Sequence, residues 1–432
     1  MTEGEIIFEG DVAEVIMKRI IGVVILGAVV AFGACSRANV RSADNEDPQS
    51  SQLIAQSEQK RNLPEQAIAF DYSNHLYFDV LLRDSISARM IFDTGNTNLL
   101  MDTKFYKKYF APSDNLQRIV LQGSGNSLEA AYRDVSDWSY KVGEHSKTEQ
   151  GAVVMDLRKI LGNEVDGMFG MEFMRGRKVE INYADEYMLI VGHDEQPSVG
   201  YTRIKCESID KRGSKILMPL SIKLNEKISF DGKFIVDLGS SGGVSLNSGV
   251  AAKLGLNRAL TNVRKKIYDT GGVGGSRTDY IFKAKSISVG GVELVDMRAT
   301  FSGNTQGIMA NNEYAGIVGN AFFERFDVIF DFERGEIWLR PNRNFNISEQ
   351  YDSGMTLTPQ DEGWVVNGLI EGGNAHRAGV RRGDFITSIN GLSRQKISYK
   401  ALKMMNRSAE EWRVVVKRGE NSSEIEFRKE KI

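Results

Sequence analysis

Two aspartates stand at the ends of apolar runs that are typical of buried strands. Asp93 lies in MIFDTGNTNLL (90–100) and Asp237 in FIVDLGSSGGVSLN (234–247), and each is followed by one residue, a glycine and a polar turn. A lone ionised carboxylate in such a place costs several kcal/mol unless it is paired or shares a proton. Two carboxyls in contact share one proton, so one can act as a base toward water and the other as an acid toward a carbonyl.

Other Asp-x-Gly triplets in the chain lack this apolar frame. They begin at Asp269, Asp352 and Asp361. Because Asp and Gly favour turns, we interpret these three triplets as turns. The candidate chemistry therefore rests on Asp93 and Asp237 alone.

A second pair of similar segments follows the two aspartates. VDGMFGMEFMRGRKVEINYADEYMLIV (165–191) matches YAGIVGNAFFERFDVIFDFERGEIWLRP (314–341) in its two apolar residues, its glycine and the two strand-like runs behind them. Asp93 precedes Gly170 by 77 residues, and Asp237 precedes Gly319 by 82. This order indicates an internal duplication with a period of about 145 residues.

A glycine-rich turn lies between the two motifs of each half. The turns are IVLQGSGNSLEAAY (119–132) and IYDTGGVGGSRTDYIF (267–282), both flanked by strand-like residues. Glycine allows such hairpin tips to take positive φ and to move. A plain surface hairpin is the alternative interpretation, whereas a phosphate-binding loop is disfavoured because the Lys and following helix are missing.

The four motifs in this order resemble the two lobes of a pepsin/retropepsin-type aspartic peptidase, over about residues 68 to 345. In that family each lobe has an apolar–apolar–Asp–Thr/Ser–Gly loop, and a later apolar–apolar–Gly segment lies beside it. The resemblance implies a mainly β, bilobal, double-β-barrel fold with pseudo-twofold symmetry. The expected lobes are residues 67–200 and 201–347.

The resemblance also implies roles for residues of both halves. It makes the chain an aspartic endopeptidase that needs no cofactor and acts on peptide or protein substrates. The implied catalytic pair is Asp93 and Asp237, supported by Thr94, Gly95, Gly239 and Ser240, under flaps tipped by Gly123, Gly125, Gly271, Gly272, Gly274 and Gly275.

Two positions depart from the family pattern. Leu238 stands where a Thr or Ser hydroxyl normally braces the pair, and Asn96 stands where a small or hydroxyl residue is usual. An inactive, peptide-binding relative of the same fold is therefore the alternative to an active peptidase. A scaffold that acts only through its C-terminal domain is a third hypothesis.

The last eighty residues change character and resemble a bacterial PDZ domain, at 353–432. The resemblance rests on residues 374–386 and on Ile389-Asn390-Gly391, which read as a short helix, a turn, a strand and a hairpin. PDZ domains bind an extended chain end as an added strand, with backbone amides on its carboxylate. The resemblance implies that role for Gly354, Met355, Thr356 and Leu357, so a protein C-terminus is an expected partner; a packing domain with an empty groove is the alternative.

The N-terminal residues have the pattern of an export signal. Lys18 and Arg19 precede an apolar run that ends at Ala34, and Phe32-Gly33-Ala34-Cys35 resembles a lipobox. We expect a signal segment over 1–35, a true start at Met17, lipidation at Cys35 and a flexible tether over 36–66. The protein would then be lipid-anchored in a bacterial cell envelope, on the periplasmic side or at the outer membrane. The alternatives are a secreted protein and an uncleaved membrane anchor.

Composition excludes several other classes of function. Among 432 residues, 55 Lys and Arg nearly balance 57 Asp and Glu, so a nucleic-acid partner is not expected. The two cysteines and four histidines show no ligand spacing, which argues against a metal site and predicts surface or loop positions for the histidines. Cys206 is expected to be an inert thiol.

Overall fold

The computed structural model of the protein describes residues 47–57, 61, 63–110, 116–211, 213–347, 351–408 and 410–431. The proposed signal segment, Met17 and Cys35 lie outside the described residues. Within those ranges, no helix is both long enough and apolar enough to cross a membrane.

Eight strands of the first half form one sheet, in the order β2-β3-β4-β9-β5-β8-β7-β6. The elements of this half, with a preceding helix, are α1 (Pro48–Ser57), β1 (Ile68–Ala69), β2 (Asp71–Tyr72), β3 (Leu76–Leu82), β4 (Ile86–Asp93), β5 (Leu99–Asp102), α2 (Thr103–Tyr109), β6 (Leu116–Gln122), β7 (Leu128–Val142), β8 (His145–Met155), α3 (Arg158–Leu161), β9 (Gly167–Gly170), α4 (Met171–Met174), β10 (Lys178–Asn182) and β11 (Tyr187–Val191).

The second half repeats this strand order. Its run β15-β20-β16-β19-β18-β17 corresponds to β4-β9-β5-β8-β7-β6 of the first half. The elements are β12 (Thr202–Lys205), β13 (Glu207–Ser208), β14 (Ile216–Lys223), β15 (Ser229–Val236), β16 (Val244–Leu246), α5 (Ser248–Lys253), α6 (Leu256–Ala259), β17 (Arg264–Tyr268), β18 (Arg277–Val289), β19 (Val292–Ser302), a 3₁₀ turn (Ile308–Ala310), β20 (Gly316–Val318), α7 (Asn320–Phe323), β21 (Phe326–Asp331) and β22 (Glu336–Pro341).

A third sheet joins the two halves. Its order is β1-β11-β10-β21-β22-β12, and β10 pairs antiparallel with β21 from Val179↔Phe330 to Asn182↔Asp327. The expected mainly β fold is confirmed. The closed double barrel and its pseudo-twofold axis stay predictions, whereas the repeated strand order is a fact of the structure.

Aromatic packing fixes the end of β4 where Asp93 lies. The ring of Phe92 lies 5.1 Å from that of Phe169, and Phe78 lies 5.7 Å from Phe169. All three rings are fully buried. Because Phe92 directly precedes Asp93, the core fixes the backbone that carries the carboxyl.

The C-terminal domain has its own core and shares a sheet with the second half. Its buried residues include Trp364, Trp412 and Met405, and its strand β25 pairs with β17. The elements are β23 (Tyr351–Asp352), β24 (Met355–Gln360), β25 (Gly363–Ile370), α8 (Asn374–Ala378), β26 (Phe385–Ile389), β27 (Leu392–Ser393), a 3₁₀ turn (Arg394–Lys396), α9 (Tyr399–Ser408), β28 (Glu411–Arg418), β29 (Asn421–Arg428) and β30 (Glu430–Lys431).

Part of the segment expected to be a flexible tether is helical. Helix α1 places Leu53 and Ile54 against the core of the C-terminal domain. Ser50 is fully buried, and its hydroxyl accepts a hydrogen bond from the side-chain amide of Asn390 at 3.2 Å. The tether prediction is therefore wrong for residues 48–57, because the polar composition concealed two apolar side chains on one face.

A buried carboxylate of the second half binds two cations of helix α9. Glu324 accepts a hydrogen bond from Lys403 at 2.7 Å and is also paired with Arg407. Burial would raise the pKa of Glu324, but these two cations outweigh it and lower the pKa to about 2. On the first half, the ring of Tyr77 stacks on that of Tyr399, with centroids 5.5 Å apart. Helix α9 therefore contacts both halves.

The Glu324 cluster predicts a stability change that can be measured. Glu324→Ala should lower the free energy of unfolding by about 3–5 kcal/mol at pH 7, since it leaves two cations without their buried partner. Its contribution is present above the ordinary glutamate pKa and is lost as pH falls toward 2, so the wild-type advantage should shrink in acid. Urea denaturation at both pH values measures this.

The matched control is the exposed ion pair between Glu207 and Lys233. Glu207→Ala should cost less than about 1 kcal/mol, as is usual for surface pairs. A Glu324→Ala loss no larger than that of the control would contradict the assigned role.

Candidate active site

Each candidate carboxyl lies where two parallel strands run side by side. Strand β4 pairs with β9 from Met90↔Gly167 to Asp93↔Gly170, and β15 pairs with β20 from Phe234↔Gly316 to Val236↔Val318. A Cβ on Gly170 would lie 1.6 Å from the carbonyl oxygen of Asp93. This approach explains why the apolar–apolar–Gly motif needs its glycine.

The structure brings the two carboxyls into contact. The side chains of Asp93 and Asp237 are close enough for a hydrogen bond between them. A Cβ on Gly95 would lie 2.8 Å from Cγ of Asp237, and one on Gly239 would lie 2.3 Å from Cγ of Asp93. Each glycine therefore lies against the opposite carboxyl, and a larger residue at either position would push the pair apart.

Backbone amides hold each carboxyl from its own loop. The N–H of Gly95 donates to Oδ1 of Asp93 at 2.8 Å, and that of Gly239 donates to Oδ1 of Asp237 at 2.9 Å. Burial raises the pKa of both carboxyls. The charge of Asp237 and the shared hydrogen bond raise the pKa of Asp93 further, although the two amides oppose this. The pair therefore keeps a proton at a pH where free carboxyls are ionised.

The two loops have matching backbone hydrogen bonds despite different side chains. The N–H of Met171 donates to the carbonyl of Asn96 at 3.0 Å, and that of Asn320 donates to the carbonyl of Ser240 at 2.9 Å. Asn96 also accepts the N–H of Asn98 at 3.0 Å through its side chain, which stabilises the turn. The departure at Asn96 therefore leaves the loop backbone intact.

The expected brace from Thr94 is present, but it is one-sided. The Thr94 hydroxyl donates to the carbonyl of Val236 at 2.9 Å and accepts the N–H of Leu238 at 3.1 Å. Leu238 is fully buried in the core. The Thr94 hydroxyl thus both donates a hydrogen bond to the opposite loop and accepts one from it.

Two residues that the sequence analysis missed support the Leu238 loop. The side-chain amide of Asn320 donates to the carbonyl of Leu238 at 2.7 Å, and the hydroxyl of Tyr183 donates to Oδ1 of Asn320 at 2.8 Å. Asn320 directly follows Gly319, at the place where Met171 follows Gly170. The sequence signal that could have identified Asn320 is the presence of a polar residue at this one position of the repeat.

His75 was expected at the surface or in a loop; it lies in a loop, but beside the pair. It is half-buried and bonded to the backbone of Gly239. Burial and the charge of Lys403 lower its pKa to about 4, although the bond to Gly239 opposes this. His75 is therefore neutral near pH 7.

The glycine-rich turns meet each other at their tips. The N–H of Gly125 donates to the carbonyl of Val273 at 2.9 Å, and that of Ser127 donates to the carbonyl of Gly274 at 2.8 Å. A Cβ on Gly125 would lie 2.1 Å from the carbonyl oxygen of Gly274. Gly123 accepts the N–H of Ile308 at 3.1 Å. The two turns therefore form a joined cover, for which the glycines are needed.

The C-terminal domain holds the second of these turns. Asn367 accepts the N–H of Thr270 at 2.8 Å through its side chain and donates to the carbonyl of Thr270 at 2.7 Å. Arg382 forms an ion pair with Asp269. The turn around Gly271 to Gly275 is thus anchored to the domain behind it, whereas Val120 and Leu128 beside the first turn are mostly exposed.

A cavity of about 460 Å³ lies beneath the joined turns. Asp237, Gly239 and Ser240 line it from the second half, together with His75 from the first. Its volume is in the range of ligand sites. The half-buried carboxyl pair therefore has room beside it for a bound molecule.

The loop expected to hold a chain terminus already has internal partners. The N–H of Gly354 donates to Oδ1 of Asp352 at 2.7 Å, and that of Ser353 donates to Oδ1 of Asn406 at 3.0 Å. Met355 donates to the hydroxyl of Ser353 at 3.3 Å. Asp352, interpreted from sequence as a turn residue, is buried and paired with Arg298 of the second half.

Other reactive groups in the described ranges do not form a second site. Burial raises the pKa of the Cys206 thiol to about 12, so the thiol stays protonated. In the part of the chain that the structure describes, no three His, Cys, Asp or Glu side chains cluster as metal ligands do.

Comparison with known families agrees with this architecture. The family model described as aspartyl protease matches residues 79–173, and the one described as PDZ domain matches residues 365–418. The chain contains an aspartyl protease domain and a PDZ domain. The resemblances recognised in the sequence are thereby confirmed. The protease match covers Asp93 and ends before Asp237. No curated protein matches the chain.

The one-sided brace predicts a difference between two substitutions at Thr94. Thr94→Val should lower the free energy of unfolding by about 1–3 kcal/mol, because the buried carbonyl of Val236 and N–H of Leu238 both lose their partner. Thr94→Ser keeps the hydroxyl and should lose less. Chemical denaturation of both variants measures this, and equal stability of the two would exclude the brace.

Proposed function

We propose that this protein is an exported aspartic endopeptidase in which Asp93 and Asp237 activate a water molecule. The observation that carries the proposal is the close approach of the two carboxyls, each lying against the glycine of the opposite loop, beside a cavity and beneath the joined turns. It is supported by the match of an aspartyl protease family model around Asp93. Export and lipidation at Cys35 are part of the proposal and depend on residues outside the described ranges.

The chemistry uses both members of the pair. The pKa of both carboxyls is raised, so the pair holds one proton jointly, written here on Asp93. Ionised Asp237 takes a proton from water, the resulting hydroxide attacks the peptide carbonyl carbon, and Asp93 gives its proton to the carbonyl oxygen. The neutral diol then collapses: the C–N bond breaks, Asp237 protonates the leaving nitrogen, and Asp93 recovers the diol proton.

The buried Leu238 does not by itself remove this chemistry. The backbone on either side of it is held by Thr94 and Asn320, so the carboxyl of Asp237 stays in position without a second hydroxyl. This arrangement supports the active enzyme over the inactive, peptide-binding alternative.

Turnover by two variants tests the proposal. Asp93→Asn and Asp237→Asn should each lower kcat/KM by about 10²–10⁴-fold on denatured protein or a peptide library, since each removes the shared-proton pair. Asp137→Asn, at an exposed site on β7, is the control and should keep wild-type turnover. Full activity in either variant of the pair would remove the assignment. A wild type that cleaves nothing from about pH 3 to 8 but binds peptides would favour the binding-module alternative.

The raised carboxyl pKa values also predict a pH dependence of stability. The folded protein keeps a proton that the unfolded chain releases above the ordinary aspartate pKa, so the free energy of unfolding should fall as pH rises through that window. Asp93→Asn carries no such proton, and its stability should change less between pH 4 and pH 7. Thermal unfolding at both pH values measures this, with Asp137→Asn as the reference. An identical slope in wild type and Asp93→Asn would contradict the prediction.

A further inference from the structure

The cavity beside the carboxyl pair extends into the PDZ domain. From Asp237 and Gly239 it passes Thr270 at the base of the second turn and reaches Met355 and Leu357 on β24. Tyr399, Leu402 and Asn406 of helix α9 line the same space. The protease site and the space between β24 and α9 are therefore one cavity.

One edge of β24 faces this space. Strand β24 pairs with β25 from Met355↔Leu369 to Gln360↔Gly363, and no other described strand pairs with it. At its far end the carbonyl of Pro359 accepts the N–H of Asn163 at 3.2 Å. An extended polypeptide adds readily to such an unpaired edge through backbone hydrogen bonds. The portion from Met355 to Leu357 is the part that borders the cavity.

A chain terminus does not fit the end of this groove. The carboxylate of Asp352 already accepts the N–H of Gly354 and is held by Arg298. It is nearly fully buried, and Arg298 and Lys266 lower its pKa far below the ordinary value although burial opposes them, so it stays ionised. A second carboxylate at this place would meet a like charge and an occupied amide.

We propose that the PDZ domain extends the substrate cleft, so that one extended polypeptide lies both at the Asp93–Asp237 pair and along the edge of β24. The bound segment is internal to the substrate and is not recognised by its C-terminus. This inference rests on the proposed function, because it states where the part of the same substrate that is remote from the scissile bond binds. Apolar and aromatic side chains line the groove, namely Met355, Leu357, Tyr399 and Leu402, of which Met355 is buried and the other three are half-buried. An apolar residue of the substrate, remote from the scissile bond, is therefore the feature selected.

Peptide length and terminal charge test this directly. A peptide cleaved by the wild type is shortened stepwise from each end while its scissile bond is kept, and every length is made with a free and with an amidated C-terminus. Removing the distal apolar residue on one side should lower kcat/KM by about ten- to a hundredfold, the value of one buried apolar side chain. Amidation should leave kcat/KM unchanged. Length-independent cleavage, or a tenfold loss on amidation, would overturn the inference.

A pair of variants on helix α9 provides the structural control. Leu402→Ala should lower the ratio of kcat/KM for the long peptide to that for the short one, since Leu402 lines the groove. Met404→Ala, on the same helix and not lining the cavity, should leave this ratio unchanged. Equal ratios in the two variants would contradict the proposed groove.

Binding distinguishes failure of this inference from failure of the proposed function. Fluorescence anisotropy of the labelled long and short peptides is measured with the Asp237→Asn variant, which should bind without cleaving. Tighter binding of the long peptide, weakened by Leu402→Ala, supports the groove even where turnover fails. Equal affinity for both lengths overturns it even where turnover succeeds.

Discussion

Contact between two carboxyls is the constraint on which the rest of the structure depends. Asp93 and Asp237 come from loops 144 residues apart, and their charges would repel if both were ionised. The fold keeps them together by burial, which favours the protonated form, and by amide donors that stabilise one negative charge. Gly95 and Gly239 leave room for the opposite carboxyl, so the pair is set by the backbone as much as by side chains.

That backbone is fixed by close packing on both sides. Behind the first loop, Phe92 and Phe169 lie in the aromatic core, and Gly170 touches the carbonyl of Asp93. Behind the second loop, the bracing is different: Asn320 and Tyr183 contribute hydrogen bonds where the first loop contributes the hydroxyl of Thr94. The two loops therefore have matching backbone hydrogen bonds with unlike side chains, and the second loop is held without a hydroxyl at Leu238.

The PDZ domain is integrated with the protease site. Strand β25 continues the sheet of the second half through β17, Asn367 holds the turn at Thr270, and Glu324 binds Lys403 and Arg407 of helix α9. These contacts place the groove of the PDZ domain against the space beside Asp237. Because these contacts hold the PDZ domain in place, the domain lines one side of the site. In our proposal, this arrangement connects substrate binding at the PDZ domain to cleavage at the carboxyl pair.

The sequence by itself determined the elements that depend on local pattern. Apolar runs ending in Asp-x-Gly, their repetition, the glycine-rich turns and the Asn390-Gly391 hairpin are all readable because each needs particular residues at fixed spacing. Tertiary structure alone decided which distant groups meet: the support of Leu238 by Asn320, the position of His75, the pairing of Asp352 with Arg298, and the packing of α1 on the C-terminal domain. These contacts join residues that no short-range pattern relates, since burial and hydrogen bonding at each depend on how whole sheets pack.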